Sequence, residues 1–360
     1  MVKAEKALIA MSGGVDSSVA AALMLKAGYE CVGVTMKLHG ESGAYSEKSC
    51  CTASDAEDAR GVCARLGMKY YVFNFTEDFE RQVIRRFTEA YEKGFTPNPC
   101  IDCNRFLKFD RLYRRAEELG CGCIVTGHYA RIEFDGERGR WLLRKSLNAA
   151  KDQTYVLYSL TQEQLAHTRF PLGDFGSKEE IRELARGLDL VNAEKRDSQD
   201  ICFVPDGDYA GFIRRYSGKD YPRGSFIDKN GNVLGEHKGI IGYTIGQRKG
   251  LGLSFPEPMY VCGKDTANNT VTLAPEKELY SRTLTADDFN WIAFEAPPEN
   301  PIRVWAKTRY SAKEAPACAE VTPGGVKITF DEPQRAITAG QAVVLYDGDI
   351  VVGGGTIIKT

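Results

Sequence analysis

Short apolar runs alternate with longer amphipathic ones through the first two hundred residues. Residues 7–11 (Ala-Leu-Ile-Ala-Met) are apolar without a break, the pattern of a strand buried on both faces. Residues 16–27 follow with apolar positions at helical spacing and stop at Gly28, a residue suited to a helix C-terminus. Residues 31–36 and 70–75 read as the next strands, with a helix at 55–66 between them, closed by Gly67. Helices at 78–93 and 104–119 run up to Gly94 and Gly120, and 123–126 reads as a further strand. Strands and helices alternating at these lengths predict βαβ units, hence an α/β fold with a doubly wound parallel sheet.

The pattern changes near residue 205. Glycine and proline become frequent, helical runs become rare, and β-branched runs appear at 270–273, 303–306, 326–330 and 342–346. Turns such as Pro323-Gly324-Gly325 and Asp347-Gly348-Asp349 separate them, so small β domains are expected. The reading divides the chain into residues 1–205, 206–283 and 284–360.

Charge and cysteine content narrow the class. The 360 residues carry 47 basic and 49 acidic side chains, a net charge of −2, so an RNA partner must be met by local patches. No apolar run approaches the roughly 20 residues that span a bilayer, and the first residues lack the apolar core of a signal peptide. Eleven cysteines without an export signal are expected to be reduced thiols in a cytoplasmic protein.

The first chemistry-bearing element is Ser12-Gly13-Gly14-Val15-Asp16-Ser17-Ser18, between the first strand and the first helix. Paired glycines let the backbone approach an anion, and a helix N-terminus offers free N–H groups and the favourable dipole end. The pattern is not Walker A, because no lysine follows the glycines, and it is not Gly-x-Gly-x-x-Gly. The plain structural reading is a turn with Asp16 or Ser17 capping the helix.

The second element is a pair of cysteine sites. Thr96-Pro97-Asn98-Pro99-Cys100-Ile101-Asp102-Cys103-Asn104 reads as a rigid loop that places Cys103 just before a helix N-terminus, where thiolate is favoured. Cys202 follows the polar stretch 196–200. Cys31, Cys63, Cys121, Cys123, Cys262 and Cys318 sit in apolar or strand-like runs and read as small buried hydrophobes. Cys50 and Cys51 receive no role.

These strings carry a resemblance. Ser-Gly-Gly-Val-Asp-Ser is similar to the pyrophosphate loop of the ATP pyrophosphatases (PP-loop, adenine nucleotide α-hydrolase-like). Thr-Pro-Asn-Pro-x-x-x-Cys-Asn, Ser-x-x-Ile-Cys-Phe, Thr126-Gly127-His128-Tyr129, Lys151-Asp152-Gln153-Thr154-Tyr155, the Gly246–252 run and Lys307-Thr308-Arg309-Tyr310 resemble, in order, the tRNA-specific 2-thiouridylases. The resemblance covers essentially the whole chain. It implies a PP-loop catalytic domain, a central β-rich linker domain and a C-terminal β-barrel that contacts tRNA.

It implies an activity as well: ATP-dependent 2-thiolation of the wobble uridine (position 34) of tRNA, with adenylation of the C2 oxygen and release of AMP and pyrophosphate. Cys202 would carry the sulfur as a persulfide and Cys103 would be the nucleophile, leaving a transient Cys103–Cys202 disulfide. Ala10, Met11, Ser12, Gly13, Gly14, Val15, Asp16, Ser17, Met36 and Gly127 would bind ATP with Mg²⁺. Asn98, Pro99 and Cys100 would line the target-base pocket, and His128, Lys151, Asp152, Gln153, Arg309, Tyr310 and Gln341 would touch tRNA. The implied partners are tRNA, a persulfide donor such as a cysteine desulfurase or relay protein, and a thiol reductant. No resident metal and no membrane are expected.

The chain departs from the family at two places. Cys100 stands where an aspartate is common, so Cys100, Cys103 and Cys202 offer the alternative of an iron–sulfur cluster, which the motif match does not favour. Leu38-His39 stands where an aromatic is common. Two rivals remain: an ATP-dependent ligase of small metabolites on the same fold, and a non-catalytic RNA-binding barrel with a degenerate nucleotide domain.

Overall fold

A computed structural model of the chain describes residues 5–39, 53–195 and 201–360. Cys50 and Cys51, and the polar stretch 196–200 before Cys202, lie outside the described residues. The chain divides into two compact units: Met1–Ile84 with Pro99–Gly207 and Gly348–Gly353, and Arg85–Asn98 with Asp208–Asp347 and Gly354–Thr360.

The first unit is built on a parallel sheet. Its strands are β1 (Lys6–Ala10), β2 (Glu30–Lys37), β3 (Lys69–Asn74) and β4 (Cys123–Val125). After β4 come a hairpin, β5 (Ala130–Asp135) and β6 (Arg140–Lys145), and the short β7 (Thr168–Arg169). The sheet order is β3-β2-β1-β4-β7. Ala7, Leu8 and Ile9 in β1 are wholly buried, as expected for a strand flanked by parallel neighbours and covered on both faces.

Helix Val15–Lys26 packs Val15, Val19, Ala20, Ala21 and Met24 into a core shared with Ile9, Cys31, Val62 and Cys123. It closes at Gly28, φ +89°, with the Tyr29 amide donating back to Met24 O at 3.1 Å.

Two helices differ from the sequence expectation. Residues 76–92 are helical, but Glu80–Ile84 winds as a π-helix. The second helix begins at Pro99, not at Asn104, and its stretch Cys103–Arg111 is also π-helical. Proline is pre-organised for a first helical turn, so Pro99 starts this helix, while Pro97 stays in the stretch before it. Cys103 therefore sits a full turn inside the helix, and the dipole argument applies more strongly to Cys100. The β5–β6 hairpin was not anticipated; Arg131 and Arg144 from it clasp Asp349 at 2.7 and 2.8 Å.

The second unit holds two β structures and helix Tyr209–Ser217. A four-stranded sheet has the order β10-β11-β8-β9, from β8 (Gly224–Ile227), β9 (Val233–His237), β10 (Met259–Asp265) and β11 (Thr270–Pro275). The remaining strands are β12 (Tyr280–Trp291), β13 (Ile302–Lys307), β14 (Ala315–Thr322), β15 (Gly325–Arg335), β16 (Ala342–Asp347) and β17 (Ile350–Lys359). They follow the order β12-β15-β14-β13-β16-β17, and β12 pairs with β17, which closes a six-stranded barrel. Closure removes the exposed edges an open sheet would present. Strand β12 runs through position 283, so it does not respect the division read there. Among the described residues no helix is long and apolar enough to cross a membrane.

Candidate active site in the first unit

The sheet order places the nucleotide loop. From β1 the chain adds β2 and β3 on one side and then β4 on the other, so the strand order reverses between β1 and β4. Ligands of open α/β sheets bind outside the carboxyl ends of the strands at such a reversal. Ala10 and Met11 leave β1 there, Ser12 to Ser17 form the turn and first helical residues, Met36 ends β2, and Gly127 follows β4.

The turn is held by its own side chains. Gly13 has φ +74°, and Gly14, not Asp16 or Ser17, is the N-cap residue, without a side-chain cap. Ser17 Oγ donates to Gly14 O at 3.0 Å and accepts from the Ser12 amide at 3.2 Å. Gly127 approaches so closely that a Cβ would lie 2.8 Å from Asp16 C and Ser17 N. A larger residue there would push the β4 end away from the loop.

Asp16 is free of the capping duty because its carboxylate points elsewhere. Oδ1 accepts from Lys178 Nζ at 2.6 Å and from Tyr129 OH at 2.7 Å. Lys178 opens a helix 162 residues further along and brings a cation to a loop that lacks the Walker lysine. Asn192, buried, donates to Gly13 O and Ser18 Oγ, both at 2.9 Å. Neither Lys178 nor Asn192 belongs to a motif, so sequence reading missed both.

Tyr129 links this loop to the thiol helix. Its amide donates to Gln153 Oε1 at 2.9 Å and its carbonyl accepts from the Gln153 amide at 2.9 Å. Asp152 accepts from the Ser146 amide and Thr154 Oγ1, which fixes the same segment. The short turn Thr154–Val156 follows, and Val156 O accepts from Asn104 Nδ2 at 2.9 Å, next to Cys103. Asp152 and Gln153 thus spend side-chain oxygens on positioning.

The segments that bear the two cysteines both touch residues 76–84. Asp78, in residues 76–84, pairs with Arg111 of the Cys103 helix at 3.0 Å. Its neighbour Phe79 packs edge-on against Phe203, which follows Cys202. Cys103 and Cys202 are half-buried, and Cys100 is exposed. Pro99 is buried. Among the described residues no group of three or more His, Cys, Asp or Glu side chains is placed to hold a metal ion, so the three cysteines are not assembled as cluster ligands.

His128 is an oriented neutral ring. Thr126 Oγ1 lies 2.6 Å from its Nδ1, and Phe109 and Phe170 pack on it. Burial first, and the Lys108 charge second, hold its pKa well below the ordinary histidine value. Lys151, half-buried in the first unit, donates its amide to Asn148 O at 3.0 Å, and the other residues expected at tRNA lie in the second unit: Arg309 half-buried, Tyr310 exposed with Lys307 Nζ 5.6 Å from its ring, and Gln341 donating to Thr96 O at 2.7 Å. Asn98 belongs to that unit as well.

Family models match three consecutive stretches. They are a tRNA methyl transferase HUP domain at residues 5–206, a tRNA methyl transferase PRC-barrel domain at 210–275 and an aminomethyltransferase β-barrel domain at 281–357. The tRNA-specific 2-thiouridylase MnmA of Clostridioides difficile (strain 630) is 51% identical over 99% of this chain and 99% of its own. That of Acetivibrio thermocellus is 52% identical over 98% of this chain and 99% of its own. Among solved structures, a 4-thiouridine synthetase–RNA complex with bound ATP is 23% identical over 56% of this chain and 45% of that one, with a TM-score of 0.39. An NMN synthetase from Francisella tularensis is 20% identical over 60% and 79%, with a TM-score of 0.35. Identity near one half over the full length of both chains decides the matter: the chain belongs to the tRNA-specific 2-thiouridylase family.

Proposed function

We propose that the protein uses MgATP to replace the C2 oxygen of the wobble uridine of tRNA with sulfur. The observation that supports this best is the hydrogen-bonded path from Asp16 through Tyr129 and Gln153 to Asn104, which joins a pyrophosphate-type loop to the helix bearing Cys103.

The triphosphate would lie against the Ser12–Ser17 amides, with Lys178 neutralising charge and Asp16 the carboxylate available to the substrate's magnesium. Attack of the uridine C2 oxygen on the α-phosphate expels pyrophosphate and leaves C2 activated as an adenylate. The terminal sulfur of a Cys202 persulfide then attacks C2, and AMP departs with the former C2 oxygen. Cys103 thiolate attacks Cys202 Sγ, the persulfide S–S bond breaks, and its electron pair stays on the sulfur now bound to C2. A Cys103–Cys202 disulfide forms, and a thiol reductant returns two electrons to reopen it. Asn98, Pro99 and Cys100 would enclose the base, and Lys151, Arg309, Tyr310 and Gln341 would face the RNA.

The test is mass spectrometry of tRNA nucleosides after incubation with ATP, Mg²⁺ and a persulfide source. We expect 2-thiouridine in the wild type and none in Cys103→Ser or Cys202→Ser. Release of AMP onto a small-molecule acceptor, without sulfur, would replace this reading with a metabolite ligase.

A further inference from the structure

The turn at residues 246–252 of the second unit has no part in the reaction above, yet its backbone is held at several points. Gly246 and Gly250 have φ of +85° and +78°, a region that favours glycine. The Gly246 amide donates to Val261 O at 2.8 Å and the Val261 amide to Gln247 O at 2.9 Å, which seats the turn on β10. Gln247 uses its own side chain inside the turn: Oε1 accepts from the Thr244 amide and Nε2 donates to Lys249 O, both at 3.0 Å. Leu251 is buried and anchors the chain just beyond.

This fixed backbone carries two cations side by side. Arg248 and Lys249 are exposed, and neither side chain has a hydrogen-bond or ion-pair partner among the described residues. Other arginines of the unit are committed: Arg214 donates to Lys238 O at 2.7 Å, and Arg335 pairs with Glu276 at 2.8 Å and lies over the Tyr260 ring. In a chain of net charge −2, two unpaired cations on a rigid turn make a local positive patch. The fold also sets where that patch lies. Thr244 and Ile245, which lead into the turn, line one cavity with Arg309, Tyr310 and Ala336. A Cβ on Gly246 would lie 2.9 Å from Ala336 Cβ, so the turn leaves directly from that wall. Residues 246–250 (Gly-Gln-Arg-Lys-Gly) offer no apolar anchor of the kind protein interfaces need, and lysine is depleted in such interfaces. Phosphates of an RNA backbone ask only for charge and donors.

We infer that Arg248 and Lys249 each bind a backbone phosphate of the tRNA, and that Gln247 is the positioning residue that holds them ready. The turn is thus a docking element that reads no sequence. This rests on the tRNA reading above.

The experiment is tRNA binding by the full chain, followed by fluorescence anisotropy at several salt concentrations. Each phosphate contact contributes ~0.7–0.9 to the log–log slope, which is roughly five- to eightfold in affinity at about 0.1 M salt relative to 1 M. We expect Arg248→Gln and Lys249→Gln each to lower the slope by that amount, the double variant by about twice as much, and Arg248→Lys to keep it. The fold-loss should be the same for tRNAs with and without a wobble uridine, because phosphates carry no sequence. Gln247→Met keeps both charges but loosens the turn, so it should weaken binding with the slope unchanged. Thermal midpoints of the charge variants should equal wild type, since both side chains are exposed; a structural role would lower them. An unchanged slope in the double variant, a midpoint that falls with affinity, a loss confined to wobble-uridine tRNAs, or wild-type affinity in Gln247→Met overturns the inference. So does a double variant that binds tRNA normally but takes up persulfide sulfur more slowly, which would give the turn to an acidic protein partner. A wild type that binds tRNA without forming 2-thiouridine retires the reaction and leaves the turn to the slope measurement; a wild type that binds no tRNA retires both.

Discussion

Lys178 shows how a single side chain can supply what a motif lacks. Its ammonium is half-buried on Asp16, and on the proposed reading it would meet the triphosphate while Asp16 served the substrate's magnesium. A charge-assisted hydrogen bond contributes about 1.5–3 kcal/mol, so Lys178→Met should raise ATP half-saturation by roughly ten- to a hundredfold and leave tRNA affinity unchanged. Unaltered ATP half-saturation would reduce Lys178 to a structural ion pair. The thiols divide in the same way by environment. Burial pushes Cys31 and Cys123 up to about 11 and Cys63 to about 12, so these stay protonated at neutral pH. Alkylation at pH 7.5–8, read by peptide mass spectrometry, should label exposed Cys100 first and leave those three unmodified until the protein unfolds. Early labelling of Cys63 would contradict the packing described.

At the scale of elements, Lys264 on β10 is the costly residue of the second unit. It is largely enclosed, donates to Tyr243 O at 2.9 Å and stands 5.9 Å from the Tyr91 ring centre. Desolvation lowers its pKa from 10.5 to about 8. Between those values the unfolded chain binds more protons than the folded one, so stability rises with pH through that window, and the penalty is fully present below pH 8. It is on the order of 3 kcal/mol. Lys264→Met should therefore stabilise this unit at pH 7, less about 1 kcal/mol for the Tyr243 carbonyl it orphans, and should flatten the slope between pH 8 and 10.5. Thermal unfolding across that range reads both effects. An unchanged slope would mean that the ammonium stays hydrated.

For the molecule as a whole, a net charge of −2 leaves no general attraction for RNA, so binding must come from a few placed cations. If Arg309 takes one phosphate, Arg309→Ala should reduce the log–log salt slope of tRNA binding by ~0.7–0.9 and weaken binding at low salt. Filter binding or fluorescence anisotropy at several salt concentrations measures the slope. An unchanged slope would remove Arg309 from the RNA contact set.

The elements of the parallel sheet were legible in the sequence because each is a local pattern. Residues 7–11 are apolar without interruption, residues 16–27 keep one face, and Gly28, Gly67 and Gly120 mark where helices stop. The turn between the first strand and the first helix was legible for the same reason, since six adjacent residues make its motif. The start of the Cys103 helix was misread because Pro97 and Pro99 look alike in sequence, while only Pro99 has a helical turn to open. The long β12 escaped because its partner β15 lies far along the chain, whereas β5 and β6 pair with each other across a short turn and their alternation was passed over. So, too, with the site. Sequence singled out the loop and the cysteines on which the proposed chemistry rests, because loop composition and thiol placement are properties of residue type and near neighbours. Only the tertiary structure brought Lys178 to Asp16, Asn192 under the loop and the Gln341 amide to the Thr96 carbonyl. Those are meetings of residues up to 245 positions apart, such as Thr96 and Gln341, and packing alone decides them.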